Sequence, residues 1–298
     1  MDTVLAGLPH ASRIAVVRLR SLGDCVLTTP ALQILKRARP DARVAVIVED
    51  RFRAVFEGNP DIDEILPPEP AALRRWRPAL CLNLHGGTRS AWLTALSGAR
   101  WRAGFAHFRH GYVYNVKIPR AQQILGVERK VHTAEHLASA IFHLGAPMRE
   151  IPRAKLFPPE PRSTAPLAVL HPFAATPEKT WPAPSFLAVA EHLKSAGLDP
   201  VFIGAAQDDF TPFRSYRTVQ DAPLPEIKEV LASASLFIGN DSGPAHMAAA
   251  FGLPVVVVFS ASDPEIWGPW RTASEVLRAP ASPAQVIEAL GRLKGVPA

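Results

Sequence analysis

Short runs of β-branched residues alternate along this chain with segments whose apolar positions recur at helical spacing. Strands that alternate with helices in this way imply a parallel sheet covered on both faces, since parallel neighbours need a crossover connection. The first series opens with RIAVVR (13–18), the turn LRSLGD and the helical pattern VLTTPALQILKRA. It continues through ARVAVIVED, the helix-like RFRAVFEGNP, DEILP, ALCLNLHG and TRSAWLTALSG. A proline-rich stretch, IPRAKLFPPEPRSTAP (151–166), then interrupts the pattern and marks a boundary. The second series runs PLAVLHP, SFLAVAEHLKSAG with Gly197 as its C-cap, PVFIGA, EIKEVLASA, SLFIGND, PAHMAAAFG and PVVVVF. Two α/β domains are expected, 1–158 and 159–298, a division that 298 residues with 48% apolar content can fill with two cores.

Charge separates the halves. Residues 1–160 carry 23 basic and 14 acidic side chains, a balance of +9, whereas residues 161–298 carry 10 and 13, a balance of −3. Cys25 and Cys81 are the two cysteines and lie outside any C-x-x-C spacing, which excludes a disulfide framework and a cysteine zinc site and fits a reducing compartment. The first residues lack the basic start and apolar run of an export signal, and the most apolar stretch, 245–261, is broken by Gly252 and Pro254. A cytoplasmic protein is expected.

Three strand-to-helix turns carry residues suited to chemistry. In FIGNDSGPAHMAAAFG a strand enters Asn240-Asp241-Ser242-Gly243, and Pro244 can occupy the first helical turn. The amide N–H groups of Ser242 and Gly243 and the helix dipole there favour an anion, and His246 lies on the first turn. The same pattern also serves as an ordinary helix start with an Asp or Ser cap. In VLHPFAATPEKTWP, Lys179 is the one lysine between residues 156 and 193, in a loop at the carboxyl end of a strand, where open α/β sheets bind ligands. It suits a phosphate as a point charge, or a solvated loop. In LRSLGD, Asp24 sits at a helix start, either as a first-turn carboxylate or as a general base in a crevice.

Other patterns carry less. His132-Thr133-Ala134-Glu135-His136 matches H-x-x-E-H, yet lies in an amphipathic helix without a third ligand in view, so no metal is expected. Neither a G-x-x-x-x-G-K-S/T loop nor a G-x-G-x-x-G after a strand occurs. Between Pro70 and Val127 there is no acidic residue, while Arg74, Arg75, Arg77, Arg89, Arg100, Arg102, Arg109, Lys117 and Arg120 fall inside, interleaved with aromatic residues. That stretch points to an anionic macromolecule or lipid headgroup, with a simple solvated basic face as the alternative. Nucleic acid is disfavoured by the mild overall charge.

Taken together, RIAVVRLRSLGDCVLTTPALQILKRARP, LNLHGGTRSAWLTALSGARWRAGF, HTAEHLASAIFHLGAP, HPFAATPEKTWP and FIGNDSGPAHMAAAFGLPVVVVFSASDPEIWGPW resemble glycosyltransferase family 9, the bacterial ADP-heptose:lipopolysaccharide heptosyltransferases. The resemblance implies a GT-B architecture, two facing Rossmann-like domains with parallel sheets and a cleft between them. The first would bind the acceptor and the second the nucleotide sugar, with the last helix a candidate to pack back on the first. It further implies an inverting single displacement in which Asp24 is the base. Lys179 with the Ser242 and Gly243 amides would stabilise departing ADP, with no cofactor and no metal. Thr176, Asp241 and His246 would complete the donor site, with Asp208 or Asp209 on the ribose. Arg20, Arg89, Arg102 and Arg109 are candidate contacts to an anionic lipopolysaccharide core, reached by peripheral contact with the inner membrane.

The sequence departs from the family pattern at His171-Pro172-Phe173-Ala174, at Thr180 beside the lysine and at Ser260-Ala261-Ser262. These departures keep open a same-fold transferase using another nucleotide sugar or acceptor. A noncatalytic binder of anionic polymers is the remaining alternative.

Overall fold

The computed structural model describes residues 3–158, 166–174 and 176–293. It divides into two compact units, 1–157 and 158–298. Residues 159–165 of the proline-rich stretch lie outside the described residues.

The first unit contains β1 (Arg13–Val17), α1 (Leu22–Ala38), β2 (Arg43–Ile47), α2 (Arg53–Phe56), β3 (Glu64–Leu66), α3 (Pro70–Trp76), β4 (Leu80–Asn83), α4 (Thr88–Leu96), β5 (Trp101–Phe105), β6 (Val116–Ile118), α5 (Ala121–Leu125) and α6 (Thr133–Leu144). Its six strands are parallel in the order β3-β2-β1-β4-β5-β6. Val17 registers with Ile47 on one side and Asn83 on the other, so β1 and β4 are central and fully covered.

The second unit contains β7 (Leu167–His171), α7 (Ala183–Ser195), β8 (Asp199–Gly204), β9 (Arg217–Gln220), α8 (Leu224–Ala232), β10 (Leu236–Asn240), α9 (Gly243–Phe251), β11 (Val255–Phe259), α10 (Pro264–Trp267), β12 (Ser274–Arg278) and α11 (Pro283–Arg292). The sheet order β12-β11-β10-β7-β8-β9 is again all parallel. Counted from β7, this is the same 3-2-1-4-5-6 winding as in the first unit. The last helix packs in this unit's core, where Val286, Ala289 and Leu290 meet Phe186, Val189 and Leu193.

Two boundaries differ from the sequence expectation. Helix α1 starts at Leu22, inside the segment read as a turn, which places Asp24 in its first turn. The segment RFRAVF forms a 3-10 turn followed by the four-residue α2. Strands β5, β6, β9 and β12 escape the apolar-run criterion because WRAGF has no β-branched residue and the other three are short or half-exposed edge strands.

Candidate active site

In a 3-2-1-4-5-6 sheet the connections from the first and fourth strands leave toward opposite faces, so a crevice opens at their carboxyl ends. In the first unit that switch point lies between the loops after β1 and β4, and in the second between those after β7 and β10.

The first switch point is built around Asp24. Ser21 is the backbone N-cap of α1 and its Oγ donates to Asp24 Oδ2 at 3.0 Å. Arg18, the residue after β1, brings Nη1 to 3.4 Å from Asp24 Oδ1 while its own side chain is 5% exposed. The Arg18 N–H donates to the Ile47 carbonyl and the Leu84 N–H to that of Val17, which lock the loops after β1, β2 and β4 together. His85 follows β4; burial, reinforced by the charge of Arg18, holds its imidazole below the ordinary range. Its neighbour Gly86 has φ +84 and lies against the Phe108 ring, 2.8 Å from where a Cβ would stand. His136 on α6 stacks on Phe105 with ring centroids 4.0 Å apart, and burial, with His107 and Arg18 adding, brings it down to about 4.

The candidate acceptor arginines separate by position. Arg20 is exposed in the loop before Asp24. Arg89, on the first turn of α4, pairs with Glu49 at 3.2 Å, and Arg109 is exposed in the loop after β5, so both lie on the carboxyl side of the sheet. Arg102 does not join them: it is the second residue of β5, and its guanidinium donates to the carbonyls of Val113 (3.0 Å) and Ala99 (3.4 Å). The H-x-x-E-H residues likewise serve the helix. His132 caps α6, Glu135 closes the capping box and pairs with Arg129, and His136 packs as above. Among the described residues no group of three or more His, Cys, Asp or Glu could hold a metal ion.

The second switch point gathers a cation and a helix start. Lys179 Nζ lies 3.6 Å from Asp241 Oδ2, an oxygen that also accepts from Ser262 Oγ. The lysine loop is fastened to β10 because Asn240 Oδ1 accepts the Trp181 N–H at 2.8 Å, while Trp181 Nε1 donates to the Ala281 carbonyl. Ser242 is the backbone N-cap of α9 without a side-chain cap bond; its Oγ instead lies 3.1 Å from His171 Nδ1. Burial pushes His171 down to about 4, so its ring is neutral near pH 7. Gly243 and Pro244 occupy the first turn of α9, and His246 is buried one step further. Thr176 accepts the Lys179 N–H on its carbonyl. A cavity of about 510 Å³, lined in part by Thr180, Trp181, Ser260 and Pro280, opens beside this loop.

Asp208 and Asp209, equivalent in sequence, differ here. Asp208 Oδ2 folds back to accept the Ala205 N–H at 2.7 Å against the end of β8, whereas Asp209 Oδ1 accepts from Thr211 in the open. Sequence reasoning missed Arg18 and His85, and noted Phe173 only as a departure from the family pattern. Phe173 packs on Phe210 and on Gly204, whose missing side chain makes the room, since a Cβ there would meet the Phe173 ring at 2.6 Å. The signal for Arg18 was a charge closing an apolar strand run; for Phe173 and Gly204 no local signal exists, since their contact joins the loop after β7 to the end of β8.

Solved structures share this architecture. A family 9 glycosyl transferase from Veillonella parvula DSM 2008 superposes with a TM-score of 0.82 at 22% identity, over 95% of this chain and 97% of that one. E. coli ADP-heptose lps heptosyltransferase II gives 0.80 at 20% identity, over 94% and 97%. TibC, an iron-containing dodecameric glycosyltransferase from enterotoxigenic E. coli, is more distant at 0.59 and 19% identity, over 90% of this chain and 63% of that one. The fold is therefore that of the GT-B glycosyltransferases, enzymes made of two Rossmann-like units. Residues 71–295 match the family model described as glycosyltransferase family 9 (heptosyltransferase), and the chain belongs to that family. Lipopolysaccharide heptosyltransferase 3 of Escherichia coli is 26% identical over 304 residues, covering 85% of this chain and 84% of its own.

Proposed function

We propose that this glycosyltransferase moves a heptose from ADP-heptose to the inner core of lipopolysaccharide with inversion at the anomeric carbon. The first unit would serve the acceptor and the second the nucleotide sugar. The observation that carries the reading is the convergence of Lys179, Asp241, Ser242 and the start of α9 at one switch point, with the Asp24 carboxylate at the corresponding point of the other unit. An anion is favoured where a lysine and a helix N-terminus meet, and a proton is favoured where a carboxylate lies in a crevice.

In this mechanism Asp24 takes the proton of an acceptor hydroxyl as its oxygen attacks C1 of the heptose. The C1–O bond to the diphosphate breaks, and its electron pair leaves with ADP. Lys179 and the Ser242 and Gly243 amides stabilise the charge that develops there, so preorganised donors fill the role a divalent ion has elsewhere. Thr176 and His246 border the donor, Asp208 or Asp209 in the loop after β8 meets the ribose, and Arg20, Arg89 and Arg109 meet the anionic core. The acceptor's lipid brings the enzyme into peripheral contact with the cytoplasmic face of the inner membrane.

The test is incubation of the protein with ADP-heptose and a heptose-deficient core acceptor in the presence of EDTA. Release of ADP and an acceptor heavier by one heptose are expected, together with thermal stabilisation by ADP over UDP and GDP. No turnover with any core acceptor, or equal stabilisation by all three nucleotides, would overturn the reading.

A further inference from the structure

The Arg18–Asp24 pair differs from the other ion pairs of the first unit. In Lys36–Asp63 and Arg39–Asp41 the cations are 21% and 14% exposed; Arg18 is 5% exposed, and its buried Nε has no hydrogen-bond partner. Asp24 does not need this cation to sit at a helix start, because the amides of α1 and the Ser21 hydroxyl already favour a carboxylate there. The remaining groups around it supply no competing buried charge. His85, His107 and His136 are held neutral by burial, Cys25 is a buried thiol pushed up to about 12, Arg20 lies toward solvent, and the half-buried Glu49 is paired with Arg51 and Arg89. The buried permanent cation facing Asp24 is Arg18, and a guanidinium cannot give up its charge to escape burial.

We propose that Arg18 is a positioning residue for proton transfer: it holds Oδ1 of Asp24 and so presents Oδ2, now met by the Ser21 hydroxyl, to the acceptor hydroxyl. This rests on the reading of Asp24 as the base. As the acceptor O–H bond breaks, its electron pair forms the bond to C1, the C1–O bond to the diphosphate gives its pair to ADP, and the proton passes to Oδ2. The protonated Asp24 then releases that proton to water, and Arg18 holds Oδ1 of the regenerated carboxylate in place for the next turnover. Arg18 therefore orients the base without touching the sugar.

The test compares Arg18→Met and Arg18→Lys in the full chain, alone and with Asp24→Asn, by kcat, acceptor KM, ADP affinity and Tm. Arg18→Met is expected to lower kcat about 10- to 100-fold while acceptor KM and ADP affinity stay within about two-fold, with Arg18→Lys recovering part of the loss. Combined with Asp24→Asn it should cost nothing further, because its effect passes through Asp24. Unchanged kcat in Arg18→Met, or the same additional loss in the Asp24→Asn background, overturns the proposal while leaving Asp24 as base intact. Full activity of Asp24→Asn overturns both. Should Arg18→Met not fold, Arg18→Lys decides: reduced kcat at unchanged KM supports the proposal, and wild-type kcat overturns it.

Discussion

The two units wind six parallel strands in the same order, yet their switch points are furnished with opposite chemistry. In the first unit a carboxylate is the group presented and a buried arginine stands behind it. In the second a lysine is presented and a carboxylate stands behind it, beside a helix start. Both place a histidine held neutral by burial next to the site, the partly buried His136 in one and the buried His171 in the other. The scaffold therefore fixes where the loops converge, and the residues after two strands decide which charge is presented there.

The contrast can be broken first at the presented groups. Asp24→Ala is expected to lower transfer about 10³-fold while stabilisation by ADP persists, whereas Lys179→Met lowers transfer about 10²-fold and weakens ADP stabilisation as well. Loss of ADP stabilisation in Asp24→Ala would erase the division of labour.

Next comes acid sensitivity, which the units should share. His136 and His171 resist protonation when folded, down to about 4, while the unfolded chain takes up protons below about 6.5. Stability is then full above about pH 6.5 and falls between about 6.5 and 4, by up to about 3 kcal/mol for each histidine. Denaturation midpoints across this range should flatten in His136→Gln and in His171→Gln, and an unchanged slope in either would show that its histidine is not held neutral.

A smaller effect is expected at Gly204. Its Cβ would stand 2.6 Å from the Phe173 ring and 2.9 Å from Asp208 Oδ2, so Gly204→Ala should cost about 1–3 kcal/mol, read as a lower Tm. Adding Phe173→Ala should return part of that loss. The smallest effect separates two arginines: Arg20→Gln should raise acceptor KM about two- to five-fold, while Arg102→Gln leaves it within about two-fold.

The central strands were legible because β1, β2, β10 and β11 are buried on both faces and spell continuous apolar runs. Edge strands such as β12 were not, since half their side chains meet water and their pattern resembles a loop. Lys179, Asp241 and Ser242 could be read as strand–turn–helix residues, since the chemistry of a helix start is local. Arg102 shows the opposite case. An acid-free stretch has charge but no direction, and only the register of β5 reveals that Arg102 points its guanidinium at backbone carbonyls. Arg18 was hidden for a related reason: its partner is six residues away, but its burial depends on loops after β2 and β4.

The turn of the Ser242 hydroxyl toward His171 has an energetic consequence for the second unit. A serine that capped α9 would contribute about 1 kcal/mol to folding whether or not a nucleotide were bound. Here Pro244 has no N–H to cap and the Ala245 N–H already donates to the Ser242 carbonyl at 3.2 Å, so the hydroxyl contributes instead by tying the start of α9 to the end of β7.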